Sequence, residues 1–409
     1  MSDPLSYLFG LGQFGIKFGL ESMAAIVERL GHPERAFQSV HIAGTNGKGS
    51  VTAMVDAGLR AAGHRSGRYT SPHLMELEER FVIDGHPIDR NAMIAAVADV
   101  RDAVEELCVA GVLQTHPTFF EVTTAVAFEL FRRARVEVAV LEVGLGGRLD
   151  ATNVVTPLVT AITSIALDHQ QYLGSTLSAI AAEKAGIIKP HIPVVVGDLD
   201  LDALGSIAAI ARKHDAQVIY ASPSDISPLT VGLPGRHQVG NAAIAARVLE
   251  LLDAGGLSVT PQAIATGLAH PEWPGRLELR RLSDGREVLL DAAHNPAGAA
   301  ALASYLNEQT EGRFPPLVFA AMRDKDIDGM LGALAPHVAR LVLTRASNTR
   351  SADPEVLADC ARRIAPALSA IVTRSPAEAL GAAWQTSRRI LVAGSIFLLG
   401  DVMKELGGS

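Results

Sequence analysis

Cysteine is scarce in this sequence. The two present, Cys108 and Cys360, lie far apart and belong to no Cys-x-x-Cys pair. That excludes a disulfide framework or a zinc knuckle as the organising device, and a reducing cytoplasm is the expected location. No run of about 18 apolar residues is present to span a bilayer. The most apolar stretch, residues 154–167, is broken by Thr, Ser and Pro157. No long basic run occurs and the formal net charge is −8, which argues against nucleic acid as the main partner. An anionic ligand must therefore be met by local cations. No Lys or Arg precedes a clean apolar run near the N-terminus, so no signal peptide is expected. Short repeats and low-complexity tracts are also lacking.

What is present is an ordinary globular composition, 48% hydrophobic and 20% charged, in 409 residues. That length exceeds a single hydrophobic core, and two domains are expected. The chain is organised around Val40-His41-Ile42-Ala43-Gly44-Thr45-Asn46-Gly47-Lys48-Gly49-Ser50. It reads as a strand, a glycine-rich turn with one lysine, then a helix over residues 50–62. Glycines let backbone N–H groups approach an anion, the helix N-terminus adds partial positive charge, and Lys48 reaches terminal phosphates. The match to the standard P-loop pattern is imperfect. Gly49 stands where a metal-holding Ser or Thr belongs, and Ser50 comes one place late. Another group must then supply the hydroxyl.

Strands are expected at residues 65–70, 136–141, 158–164, 193–196 and 217–220. Helices are expected at 20–30, 91–109, 118–134, 175–185 and 238–254. Residues 1–18 mix glycine with Tyr7, Phe9, Phe14 and Phe18, as an ordered or packed arm would. Two prolines and a glycine in Ala269-His270-Pro271-Glu272-Trp273-Pro274-Gly275-Arg276 mark a boundary, giving domains 1–272 and 273–409. Beyond it, strands near 287–290, 317–321, 340–343, 370–372 and 389–393 alternate with helices. Both halves read as α/β with mainly parallel sheets.

In such sheets ligands sit at the C-terminal ends of strands. The phosphate loop, Ser71, Glu142 and His169 all fall there. Hydroxyl, carboxylate and imidazole suit Mg²⁺ or Mn²⁺ held with phosphate oxygens and water, and Ser71 is the candidate for the hydroxyl that Gly49 lacks. Each also has an ordinary structural use, as a turn cap or a hydrogen-bonded core histidine. Lys184 ends a largely apolar helix. It is either a surface lysine in an ion pair or a partly buried amine able to capture CO₂ as a carbamate. Asp291 and His294 follow a strand and suit ribose or phosphate contact; a helix N-cap is the alternative for Asp291. Arg276 is placed to reach an anion.

These stretches together resemble the folylpolyglutamate synthase/dihydrofolate synthase family, a branch of the Mur ligases. The matching strings are Ala43 to Ser50, Thr70-Ser71-Pro72-His73-Leu74, Glu79-Arg80-Phe81, Thr118-Phe119-Phe120-Glu121, Glu142 to Asn153, Leu167-Asp168-His169, Glu183-Lys184-Ala185-Gly186-Ile187, His237-Gln238 with Asn241, Pro274-Gly275-Arg276, Asp291 with His294-Asn295-Pro296, Asp324-Lys325-Asp326, and Gly394-Ser395. The sequence departs from the family's usual pattern at Ser22 and at Ser164-Ile165-Ala166.

The resemblance implies a P-loop-containing ATP-binding N-terminal domain and a smaller Rossmann-like C-terminal glutamate ligase domain, with the active site between them. It implies ATP contacts from Gly44, Thr45, Asn46, Gly47, Lys48, Gly49, Ser50, Asn241, Arg276 and Asp291, with His294 near the phosphates. It implies Mg²⁺, two ions of it, with Ser71, Glu142 and His169 as ligands, and a carbamylated Lys184. Pterin-side contacts would come from Lys17, Phe18, Gly19, Arg80, Thr118, Phe119, Phe120, Glu121, Leu149, Asp150 and Ala151. Lys48, Lys184 and His294 are then the catalytic candidates. The implied activity is ATP-dependent addition of L-glutamate to dihydropteroate or folates, by a cytoplasmic monomer with neither membrane nor nucleic acid as partner. A P-loop ATPase or kinase-type switch that makes no amide stands as the alternative, and a non-catalytic nucleotide-binding module as a weaker one.

Overall fold

In the computed structural model, which describes residues 3–15, 17–309 and 315–407, strand–helix alternation builds two α/β units. The first holds the residues up to Pro72, Leu77–Gly232 and Val239–Glu272. The second holds His73–Glu76, Leu233–Gln238 and the residues from Trp273 onward.

The first unit contains strands β1 (Gln38–Ala43), β2 (Ser66–Tyr69), β3 (Phe81–Ile83), β4 (His86–Pro87), β5 (Val138–Glu142), β6 (Val159–Ile162), β7 (Val194–Val196) and β8 (Val218–Tyr220). They form one sheet in the order β4-β3-β2-β5-β1-β6-β7-β8. From β2 to β8 every neighbouring pair is parallel. Strands buried on both faces need continuous apolar runs, which is what Val138–Glu142 and Val194–Val196 supply. Around one part of this sheet Tyr69, Phe81, Phe128 and Phe131 are fully buried. Each contributes about 1.5–3 kcal/mol of burial.

The second unit contains β9 (Glu278–Arg281), β10 (Glu287–Leu290), β11 (Leu317–Phe319), β12 (Leu341–Leu343), β13 (Ala370–Val372) and β14 (Arg389–Ala393), ordered β13-β12-β11-β14-β10-β9. All pairs are parallel except β10 with β9.

The mainly parallel expectation holds, with antiparallel edges the sequence reading omitted. The β3–β4 hairpin turns through Asp84 and Gly85, both at positive φ (50° and 82°). That is the Asp-Gly chemistry of a tight hairpin. Another omission is the helix Pro261–Ala269, capped by Thr260, whose side chain accepts from Ala263 N. It packs on the helix Lys48–Ala61 so closely that a Cβ at Gly267 would sit 2.4 Å from Gly58 N. Near the N-terminus, Pro4–Gly10 is helical, Leu8 is buried in the core and Phe9 stacks on Phe119 at 6.2 Å. Residues 1, 2 and 16 of the expected arm lie outside the described residues.

Candidate active site

The strand order decides what meets what. β2, β5, β1 and β6 are successive neighbours, so the loops leaving their C-terminal ends lie side by side. Those loops carry Ser71, Glu142, the phosphate loop and His169.

The helix after the phosphate loop begins at Lys48, two residues before the expected start, with Gly47 as its cap at φ 86°. Only glycine adopts that conformation without strain. A Cβ at Gly47 would also lie 2.4 Å from Asn241 Oδ1, so Asn241 sits against the loop. The end of β6 holds the loop from below. Ser164 O accepts from Thr45 N (2.7 Å), Ser164 Oγ accepts from Asn46 N (3.0 Å), and Thr163 Oγ1 donates to Asn46 O (2.6 Å). Thr45 Oγ1 accepts from Ala166 N (3.0 Å). Gly49 and Ser50 are in the first helical turn, and Ser50 is buried.

Lys48 Nζ donates to Gly44 O (3.1 Å) and Thr45 O (3.2 Å) and lies 4.0 Å from Glu142 Oε1. Glu142 is the last residue of β5, paired with Ile42 of β1, and is buried. Its Oε2 accepts from Ser71 N at 3.4 Å. His169 lies beyond β6 at positive φ (51°), its Nε2 3.9 Å from Asp168 Oδ1. Among the described residues no group of three or more His, Cys, Asp or Glu side chains is arranged to hold a metal ion. A cation here would draw on mixed donors.

Lys184 is buried, and its Nζ donates to Gly44 O at 2.8 Å. The surface-lysine alternative is thereby removed. The loop after β5 locks its helix in place. Arg148 N donates to Glu183 O (2.9 Å), Arg148 pairs with Glu183, and Asn153 Nδ2 donates to Arg148 O and Gly186 O, both at 3.0 Å. Gly147 permits the contact, since a Cβ there would lie 2.7 Å from Lys184 O.

The pterin-side candidates have definite local tasks. Thr118 and Glu121 form a reciprocal capping box on the helix Phe119–Arg133: Glu121 N donates to Thr118 Oγ1 (3.1 Å), Thr118 N to Glu121 Oε2 (2.7 Å). Arg80 is buried over the Phe119 ring at 5.2 Å, and burial lowers its pKa. Phe120 tilts against Tyr69 and abuts Gly144. Asp150, buried, accepts from Leu145 N (2.9 Å) and Thr152 N (3.0 Å) beside Leu149 and Ala151. Lys17 Nζ donates to Ser22 Oγ (2.8 Å) and Thr115 Oγ1 (3.0 Å). Phe18, before Gly19, is half exposed, its ring 5.9 Å from Tyr172.

A second cluster occupies the other unit. Asp291 is buried and accepts from Leu277 N and Ala293 N, each at 2.9 Å. It is not a helix N-cap; it pins Leu277, which holds φ 49°. Ala292 N donates to Gly275 O (2.9 Å), fixing the Pro274–Leu277 turn and keeping Arg276 near the carboxylate. Burial raises the Asp291 pKa, and the Arg276 charge opposes that rise. His294 Nδ1 donates to Ala292 O at 2.9 Å. His237, which sequence reasoning quoted without a role, lies near Arg276, and burial and that charge lower its pKa. His41, inside β1, and Thr163, one residue past β6, were also missed; a polar residue in or beside a buried strand was the available signal.

A glycine-lysine loop on one mainly parallel sheet, followed by a second mainly parallel α/β unit, accords with a Mur-type ligase. Residues 42–225 match the Mur ligase middle domain and residues 275–396 the Mur ligase glutamate ligase domain. The chain is 37% identical to the dihydrofolate synthase/folylpolyglutamate synthase of Bacillus subtilis over 374 residues, 84% of this chain and 86% of that protein. It belongs to the folylpolyglutamate synthase/dihydrofolate synthase family and is an ATP-dependent ligase. A folylpolyglutamate synthase of Mycobacterium tuberculosis complexed with ADP superposes with a TM-score of 0.90 at 34% identity, over 99% of both chains. E. coli FolC in complex with DHPP and ADP gives 0.87 at 31%, covering 99% of this chain and 98% of that one. A probable bifunctional folylpolyglutamate synthase/dihydropteroate synthase of Haloferax volcanii is 35% identical, and the chain spans 50% of its length. No described helix is long and apolar enough to cross a membrane.

Proposed function

We propose that this ligase joins L-glutamate to dihydropteroate, to folates or to both, through an acyl phosphate. The observation that carries the reading is the convergence of Lys48 and Lys184 on Gly44 O, with Glu142 alongside, in a loop built for phosphate.

An amine does not attack a carboxylate at useful rates. Transfer of the γ-phosphoryl group of ATP to the pterin-bearing carboxylate yields ADP and an acyl phosphate. The glutamate amine then forms the amide bond, losing a proton and releasing phosphate. Lys48 follows the charge on the β- and γ-phosphates, and backbone N–H groups of residues 44–50 cradle them. Asn241 borders the nucleotide at Gly47. Arg276, Asp291 and His294 are assigned to the nucleotide as well, Asp291 to its ribose and His294 to its phosphates. Lys17, Phe18, Gly19, Arg80, residues 118–121 and residues 149–151 are assigned to the pterin-bearing substrate.

Ser71, Glu142 and His169 are assigned to Mg²⁺. Their donor set fits a hard cation: oxygen and imidazole donors, with the buried Glu142 carboxylate accepting from Ser71 N and lying 4.0 Å from Lys48 Nζ. Bound there, Mg²⁺ would offset charge on the phosphate oxygens. A second ion would take a carbamate on Lys184, formed when the neutral amine adds CO₂ and loses a proton. We assign residues 1–272 as the ATP-binding domain and 273–409 as the glutamate ligase domain, in a cytoplasmic monomer acting on small molecules.

The test is a product assay with ATP, L-glutamate and either dihydropteroate or tetrahydrofolate. Equal amounts of ADP, phosphate and glutamylated product are expected. Phosphate release that ignores glutamate would return the chain to the ATPase reading.

A further inference from the structure

Most buried polar side chains away from the loops close on themselves. Asp56 is taken up by Ser66, Arg68 and Arg60, and Glu129 by Arg132 and Arg133. One chain of contacts instead links two functional segments. It begins at His41, within the strand that ends in the phosphate loop, and finishes in the loop after Glu142.

His41 Nε2 lies 2.8 Å from Thr152 Oγ1, and Thr152 Oγ1 lies 2.5 Å from Asp150 Oδ1. His41 and Thr152 are fully buried and Asp150 nearly so. Asp150 Oδ1 also accepts from Thr152 N, while Oδ2 accepts from Leu145 N. Burial raises the Asp150 pKa, and the N–H and O–H donors on its carboxyl oppose that rise; such a donor set is what an ionised carboxylate takes.

With the Asp150 carboxylate ionised, proton accounting sets each direction. A hydroxyl carries one proton, and that of Thr152 goes to Asp150. The Thr152 oxygen must therefore accept from His41, which makes His41 the Nε2–H tautomer. Its other nitrogen, Nδ1, is buried with no hydrogen-bond partner, as befits the unprotonated one. Burial, helped by the Lys189 ammonium, lowers the His41 pKa to about 3, so the ring stays neutral and the relay keeps its direction. Lys189 Nζ donates to Asn153 O at 2.9 Å, one residue past Thr152.

We propose that His41 is a positioning residue for the pterin-bearing substrate: through Thr152 it fixes the Asp150 carboxylate, and with it the loop joining Glu142 to Ala151. The inference rests on the ligase reading above and adds to it a physical tie between the strand of the phosphate loop and the acceptor side. His41 touches no reacting atom.

Steady-state rates test this in Thr152→Val, Thr152→Ser, His41→Leu and the Thr152→Val/His41→Leu double variant. Thr152→Val keeps the shape and removes the relay; it should raise KM for the pterin-bearing substrate about tenfold, the size of a lost hydrogen bond to a charged group. KM for ATP should stay within about twofold. Thr152→Ser, which keeps the hydroxyl, should remain near wild type. His41→Leu should move the same KM by less, and should add nothing to Thr152→Val, because its influence passes through the missing hydroxyl. Unchanged acceptor KM in Thr152→Val, an equal rise in KM for ATP, or a further loss in the double variant would each overturn the relay. If Thr152→Val does not fold, His41→Gln, which retains a donor, against His41→Leu gives the same contrast, and equal acceptor KM values in those two overturn it. Failure of the ligase reading shows separately, as wild-type protein that makes no amide.

Discussion

Lys184 Nζ stands 2.8 Å from the carbonyl oxygen of Gly44, and Lys48 Nζ stands 3.1 Å from the same atom. Two amines on one acceptor, 140 and 4 residues away in sequence, bring the C-terminal end of one helix onto the loop that precedes another. Two ammonium groups so placed would repel; a phosphate beside them, or conversion of the Lys184 amine to a carbamate, relieves that repulsion.

Lys48→Ala should cut turnover by roughly 10²-fold or more, since contacts to transferring charge are typically worth a few kcal/mol. Glutamate-dependent phosphate release measures it. Wild-type turnover in that variant would remove the loop from the mechanism.

Ser71→Ala should raise the Mg²⁺ concentration needed for half-maximal rate more than it raises KM for glutamate. Titrations of each at saturating ATP separate the two. An unchanged Mg²⁺ requirement would take Ser71 out of the metal site.

Lys184→Ala should be nearly inactive. Acetate or formate added to that variant should restore part of the activity by refilling the anionic position. Full activity without additive would end the carbamate assignment.

His41 makes stability depend on pH with a definite sign. Its folded pKa, about 3, lies below the ordinary 6.5 because burial disfavours the charged ring. The unfolded chain therefore binds the extra proton first. The stabilising contribution is full above pH 6.5 and is lost as pH falls toward 3. Near pH 5 the loss is about 2 kcal/mol. Urea midpoints should fall more steeply between pH 7 and pH 4 in the wild type than in His41→Gln, which does not titrate. Parallel slopes would contradict the buried, neutral ring.

The repeating units were legible because their signals are local. Val138–Glu142 and Val194–Val196 announce buried parallel strands by composition alone, and the Thr118…Glu121 capping box names its own helix. Omitted elements were those with short or mixed signals, although some were written plainly: Thr260-Pro261 opens a helix, and Asp84-Gly85 turns a hairpin. For the candidate site, residue types at strand ends pointed to Lys48, Ser71, Glu142 and His169, and an apolar helix end pointed to Lys184. What no local pattern carries is the strand order, and only that order sets Ser71 N against Glu142. Asp291 shows the opposite limit. A carboxylate before a helix suggests a cap, whereas the distant Leu277 N–H claims it.

The position of β5 bears on how the molecule comes into being. β1 and β2 follow one another along the chain yet do not pair; each borders β5, some 70 residues or more further on. A nascent chain that has emerged only as far as residue 137 owns the phosphate loop and Ser71 but has no strand to bring them to one edge. Closing that long loop is an entropic toll collected before the sheet returns any pairing energy. The edge that the phosphate loop shares with Ser71 therefore exists only once β5 has been inserted between β1 and β2.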